Sequence, residues 1–295
     1  MVSTIYTSIT PGLKVAYLFL FMLIGVFISG IFTDILLQIP IFRDGDELAI
    51  IYINSINGSI FSIALPAYFA VKLSNKKPLK YLKLKGRKKQ VEKMIFAALL
   101  FIISYAISSF LAQYNKGMVL PEWLSEVESV MRSMEDSAIE LTNLLLSGKT
   151  IGSLIINLIV VAGFAAVSEE LFFRGALQQF IQEKFKSNHW PVWITALVFS
   201  LVHFQFYGFL PRLFLGALLG YLFLYTRNLW APILFHFLNN ATVILLNFFW
   251  QDTEWFKNIE SAEITTQFVV FAFISLLFTV LLLVSYNKKQ NKLLL

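Results

Sequence analysis

The sequence predicts an all-α fold, a polytopic membrane protein of about eight transmembrane helices with both termini in the cytoplasm. Three observations carry that reading. Of 295 residues, 57% are hydrophobic and only 14% charged, against about 25% charged in a soluble domain. Mean hydropathy is +0.70. Eight segments reach or approach the ~20 apolar residues that cross a bilayer as a helix, and Lys and Arg gather in alternate loops between them.

The spans fall at 13–38, 48–70, 94–111, 151–173, 190–206, 212–225, 229–250 and 265–284. The sixth is short, with Pro211 at its head, where a first helical turn tolerates proline. It carries Gly216-x-x-x-Gly220, spaced either for close helix–helix approach or simply as small residues in a thin helix. An apolar stripe at Leu177, Phe180 and Ile181 lets the fourth helix run on to about Ile181.

Sides follow from the loops. The stretch 72–90 holds nine Lys/Arg and no acids, and is expected in the cytoplasm. Segments 43–47 (three acids, one base), 114–150 (six against three) and 251–264 (four against one) then fall outside. Lys14 near one end and Lys288, Lys289 and Lys292 near the other return inside. The basic loop, taken as 72–93, reads as a topology signal that also meets anionic lipid, not as a nucleic-acid site. Within 114–150, Trp123, Val127, Val130, Met131 and Met134 recur at helical spacing, as in an amphipathic helix on the membrane surface.

The chain divides into 1–150, holding helices one to three with the basic loop and the acidic outer loop 114–150, and 151–295, holding helices four to eight and the chemistry. It has no Cys, hence no disulfide framework or catalytic thiol. Its apolar N-terminal run is too long for a signal-peptide core. There is no internal repeat of the kind that paired transporter halves show.

An ionisable residue inside a span is costly and is first read as functional. That filter leaves Glu169, Glu170 and Arg174 in span four, His203 in span five, and His236 with Asn239 and Asn240 in span seven. Glu170 and Arg174 are four apart and share a face, whereas Glu169 lies about 100° away and has no local partner. His236 and Asn240 share a face, as do Phe199 and His203; Asn239 lies on another. Asn54 and Asn57 read as interhelical hydrogen-bond partners, Asp34 as interfacial, and His189 as a solvated loop residue. With the longer fourth helix, Glu169 and His203 lie at about the same depth, ~18–20 Å from the cytoplasmic side. The set is chemically coherent: a carboxylate as general base on water, a histidine to help hold that water, and His plus Asn to donate to a developing oxyanion.

EELFFR, FSLVH and HFLNN match, in order, the EExxxR, FxxxH and HxxxN motifs of the CAAX protease and bacteriocin-processing family of intramembrane endopeptidases, also called the Abi family, which the stretch from about Ala165 to Leu245 resembles. The resemblance implies that Glu169 is the general base, holding water with His203. It implies that His236 and Asn240 stabilise the oxyanion and that Glu170 and Arg174 form a supporting pair. It implies a peptide or membrane-protein substrate, and the Lys-, Ile-, Phe- and Asn-rich usage points to a bacterial cell membrane. No cofactor is expected. The alternative is Zn²⁺ on Glu169, His203 and His236, a ligand count a catalytic zinc accepts, although the chain has no HExxH. The competing functions are a non-enzymatic immunity or scaffold protein of the same fold and, third, a proton-coupled transporter. Oligomeric state is not readable.

Overall fold

A computed structural model describes residues 9–40, 47–75, 77–84, 89–254, 256 and 264–292. Every regular element among them is helical. The charge signals at 43–46, 85–88 and 257–263 lie outside the described residues.

The spans are α1 (Pro11–Leu37), α2 (Glu47–Ser74), α4 (Gln90–Lys116), α6 (Ile151–Gln182), α8 (Phe209–Thr226), α9 (Trp230–Trp250) and α10 (Thr266–Lys292). Short α3 (Pro78–Tyr81) follows α2, and α5 (Ser125–Leu146) fills the acidic loop. The expected fifth span is only α7 (His189–Leu201), 13 residues long. Among the described residues, seven helices are therefore long and apolar enough to cross a bilayer, and α7 is a shorter apolar one. The chain is an integral membrane protein. Side chains such as Phe27 (74% exposed) and Phe273 (65%) face outward, as lipid-facing positions do.

The core surrounds α6. Phe172, Phe180 and Leu177 pack with Leu18 of α1, Leu100 of α4, Leu219 of α8 and Phe235 of α9. As the stripe required, α6 continues past Phe173 to Gln182. Its ladder widens to π-helical turns at Leu158–Phe164 and Leu171–Leu177, on either side of the two glutamates, a distortion that recurs at functional sites. A similar turn lies within α2 at Gly58–Ala64. There α1 comes so close that a Cβ on Gly25 would lie 1.9 Å from the Phe61 carbonyl oxygen. As anticipated, Asn57 bonds across this contact to Thr33 (3.1 Å).

Gly216 and Gly220 do serve close approach. A Cβ on Gly216 would lie 3.0 Å from Ala196 Cα, and one on Gly220 2.8 Å from Val192 Cγ1. Their carbonyls are thereby laid open to α6: Gly216 O accepts from Arg174 (3.1 Å) and Gly220 O from Gln178 (3.1 Å).

The two ends of the bundle differ. At one, the basic loop reaches the ends of α6 and α9: Tyr81 O accepts from Gln179 (3.0 Å), Lys83 O from Leu229 N (3.3 Å) and Leu84 O from Trp230 Nε1 (2.9 Å). At the other lies α5, joined to the end of α4 and the start of α6. It is the amphipathic helix that the spacing predicted, with Val130 (61%) and Val127 (45%) exposed along it and Trp123 (80%) exposed in the 3-10 turn just before it. Its polar side docks on the bundle. Glu128 accepts from Leu120 N (2.9 Å) and Tyr207 Oη (3.3 Å), while Arg132 stacks 4.5 Å from the Tyr207 ring. The hydrogen-bonded Arg132 guanidinium, then the Leu120 N–H, hold the Glu128 carboxyl below the ordinary carboxylate range.

The sidedness inferred from loop charge is testable, since the chain has no Cys. Ser74 is buried and bonds back to Ala70 O, so exposed Lys80 is the better site near the basic loop. A Cys at Lys80 is expected to react with an impermeant maleimide only from the cytoplasm, and one at exposed Ser137 only from outside. The reverse labelling pattern would invert the topology.

Candidate active site

The centre is built on the α6 turn between its two π-helical segments. Arg174 donates to Glu170 Oε1 (2.7 Å), and both side chains are fully buried. The i,i+4 register thus delivers the pair that the sequence required.

The sequence reading placed Glu170 away from the histidines. The structure corrects this. Glu170 Oε1 also meets His236 Nδ1 at 2.9 Å, and Glu169 Oε2 lies 3.8 Å from His236 Nε2. Adjacent helix residues cannot present to one atom, but an imidazole has ring nitrogens on two edges, so His236 lies between both carboxylates. An ionised Glu170 accepts only, so Nδ1 carries a proton and Nε2 is the edge turned to Glu169. The Glu169 side chain keeps 18% exposure, and its Oε2 has no hydrogen-bond partner among the described residues.

His203 stands just beyond α7, which ends at Leu201, in a turn where Phe204 takes a left-handed φ of 53°. The expected span position is therefore a turn position. His203 Nδ1 meets Phe199 O at 2.7 Å; a carbonyl accepts, so Nδ1 is the donor and Nε2 of the neutral ring is left as acceptor. Phe199 explains its own place in FxxxH. Its buried ring lies 5.0 Å from His203, 5.9 Å from His236 and 4.8 Å from the Arg174 guanidinium carbon, wedging the three apart.

Asn240 lies one turn beyond His236 on α9. Its Oδ1 accepts from Asn239 Nδ2 (3.2 Å), which leaves the Asn240 amide nitrogen to donate. The sequence reading set Asn239 aside because it lies on another face; its side chain reaches round to orient its neighbour. Neither His203 nor Asn240 hydrogen-bonds directly to either glutamate. His189, read as a loop residue, instead opens α7 and bonds Tyr221 Oη through Nδ1 (2.8 Å).

The sequence reading also passed over Arg212. Its guanidinium bonds both Gln205 Oε1 (2.8 Å) and Gln205 O (2.7 Å), clamping the turn that carries His203. Gln205 Nε2 in turn reaches Glu135 of α5 (3.5 Å). Arg212 was legible as another charge inside a span, by the same cost argument that found the glutamates.

Among the described residues no three His, Cys, Asp or Glu side chains stand together as metal ligands. Of Glu169, His203 and His236, Glu169 and His236 approach each other, at 3.8 Å between Oε2 and Nε2.

The comparison with known families bears directly on this stretch. Residues 151–242 match the type II CAAX prenyl endopeptidase family, Rce1-like. The Rce1-like match bears out the resemblance drawn from the three motifs and spans every residue of the centre, from Glu169 to Asn240. It points to CAAX-type endopeptidase activity. No curated protein and no solved structure matches the chain. Within the Rce1-like stretch, α6, α7, α8 and the first half of α9 enclose the centre, while α1, α2 and α4 buttress α6 and α9 from outside it.

Proposed function

We propose that the protein is a glutamate-dependent intramembrane endopeptidase that hydrolyses a peptide bond in a peptide or membrane-protein substrate of a bacterial cell membrane. The observation that carries this reading is His236 bridging Glu170 and Glu169, with one Glu169 oxygen left unpartnered. Glu169 Oε2 accepts a proton from water as the water oxygen attacks the scissile carbonyl carbon. His203 Nε2 accepts a hydrogen bond from that water and fixes its direction. The carbonyl oxygen becomes the oxyanion, taking hydrogen bonds from Asn240 Nδ2 and His236 Nε2. Collapse breaks the C–N bond, and the proton held by Glu169 passes to the departing amine.

This assignment requires His236 to donate from both nitrogens, hence to be an imidazolium. Charge balance supports it. With Glu169 and Glu170 both ionised, Arg174 and a protonated His236 leave the cluster without net charge. Uncompensated charge is what a low-dielectric interior penalises most. Glu170 is then more than a helix-end support: it orients His236 and balances its charge.

Asn240→Ala tests the reading. It is expected to lower kcat by about 10²–10³-fold, as loss of one oxyanion donor does, with KM little changed. A rise in KM at constant kcat would mark Asn240 as a ground-state binding group instead. Activity is expected to survive exhaustive chelation; its loss, with recovery on adding zinc or cobalt, would reassign Glu169, His203 and His236 as ligands.

A further inference from the structure

His203 can hold a water for Glu169 only if the turn between α7 and α8 is held still, and that turn is fastened unevenly. Its far half is secured from three elements. Ser200 Oγ of α7 donates to Phe209 O (2.7 Å), Leu210 N donates to Asn115 Oδ1 of α4 (2.7 Å), and buried Tyr207 donates to Glu128 of α5 (3.3 Å). Phe204, next to His203, is not held by the packing of its own side chain. It keeps a left-handed φ of 53° while the residue is 72% exposed. A non-glycine residue stays in that conformation only where its surroundings impose it.

What imposes it is the next residue, Gln205, gripped by both its main chain and its side chain. Arg212 Nη2 donates to Gln205 O (2.7 Å) and Nη1 to Gln205 Oε1 (2.8 Å), and Gln205 Nε2 reaches Glu135 Oε1 of α5 (3.5 Å). Arginine only donates and an ionised carboxylate only accepts, so the Gln205 amide has one orientation. A lysine could not copy this grip. Its ammonium is a point charge on a flexible stem, whereas the planar fork of arginine meets two oxygens at fixed spacing.

The turn also leaves a space for the guanidinium. A Cβ on Gly208 would lie 2.7 Å from Arg212 Cζ and 2.8 Å from Nη1. The Gly208 φ of −112° is open to other residues. It is the room for Arg212, not the backbone, that calls for glycine here.

We infer that Arg212 is a positioning residue for the reaction: seated against Gly208, it fixes Gln205 and so the direction in which His203 presents Nε2. The inference rests on the endopeptidase reading above. Arg212 acts through His203 and has no contact of its own with the water or the scissile bond.

The test uses Arg212→Lys, which keeps the charge, and Gly208→Ala, which keeps every bonding group and turns the flexible guanidinium aside. Each is made in the unmutated chain and in the His203→Ala chain. Cleavage of a randomised, internally quenched decapeptide pool gives apparent kcat and KM. The chain has only three histidines, so isotope labelling of their ring nitrogens gives a His203 resonance that needs no activity, identified by its loss in His203→Ala. Both variants are expected to lower kcat about 10²-fold, the scale of a ~1 Å misplacement, with KM within about twofold. In the His203→Ala chain neither is expected to lower kcat further, because the group they place is gone. The Nδ1–H form of His203 is expected to give way to a mixture of ring tautomers, with His189 unmoved. An unmoved His203 resonance would overturn the inference. So would an unchanged kcat in the unmutated chain, or an equal fall in kcat in the His203→Ala chain. A shifted His203 resonance in a protein that cleaves none of the pool would keep Arg212 as the residue that places His203 and overturn the endopeptidase reading.

Discussion

Glu169→Gln is expected to abolish peptide-bond cleavage, a loss of about 10²–10⁴-fold for a positioned general base, while the protein accumulates and melts nearly as before. The change is isosteric. Its target oxygen makes no hydrogen bond that would be lost, and the side chain is partly exposed. Measuring reporter cleavage in membranes alongside thermal unfolding in detergent separates the two effects. A scaffold or immunity protein would keep its cellular phenotype in this variant, whereas a protease loses it. Failure of Glu169→Gln to accumulate would exchange the roles of the two glutamates.

Arg174→Ala is expected to act the other way, on stability first. Arg174 has no exposure, donates to Glu170 and to Gly216 O, and stacks over Phe199. Removing it leaves Glu170 buried with only His236 as a counter-charge, and breaking a buried pair in this manner costs about 3–5 kcal/mol. Lower expression and a lower denaturation midpoint are the readouts. The double variant Glu170→Gln with Arg174→Met removes both charges, so it should recover much of the lost accumulation. It should not recover activity, because His236 then lacks the carboxylate that orients it. Recovery of both would show that Glu170 only packs.

The sequence was most informative where interactions are local. A helix fixes which side chains meet three or four residues apart, so Glu170–Arg174 and Phe199–His203 follow from spacing alone, as does the amphipathic α5. Bilayer thickness and the cost of intramembrane charge made the spans and most of the polar cluster legible in the same way. The apolar stripe after Phe173 correctly carried α6 to Gln182.

Where reasoning from one helix at a time fell short, two helices were involved. That Glu170 faces His236 depends on how α6 is seated against α9, which no periodicity within either helix encodes. The turn under His203 depends on Arg212 reaching back from α8. By itself the sequence determined the helices, their apolar faces and the list of polar residues within them, because those depend on backbone geometry and hydration. Only the tertiary structure decided which carboxylate hydrogen-bonds the histidine as well as the arginine, because that is set by packing between helices far apart in the chain.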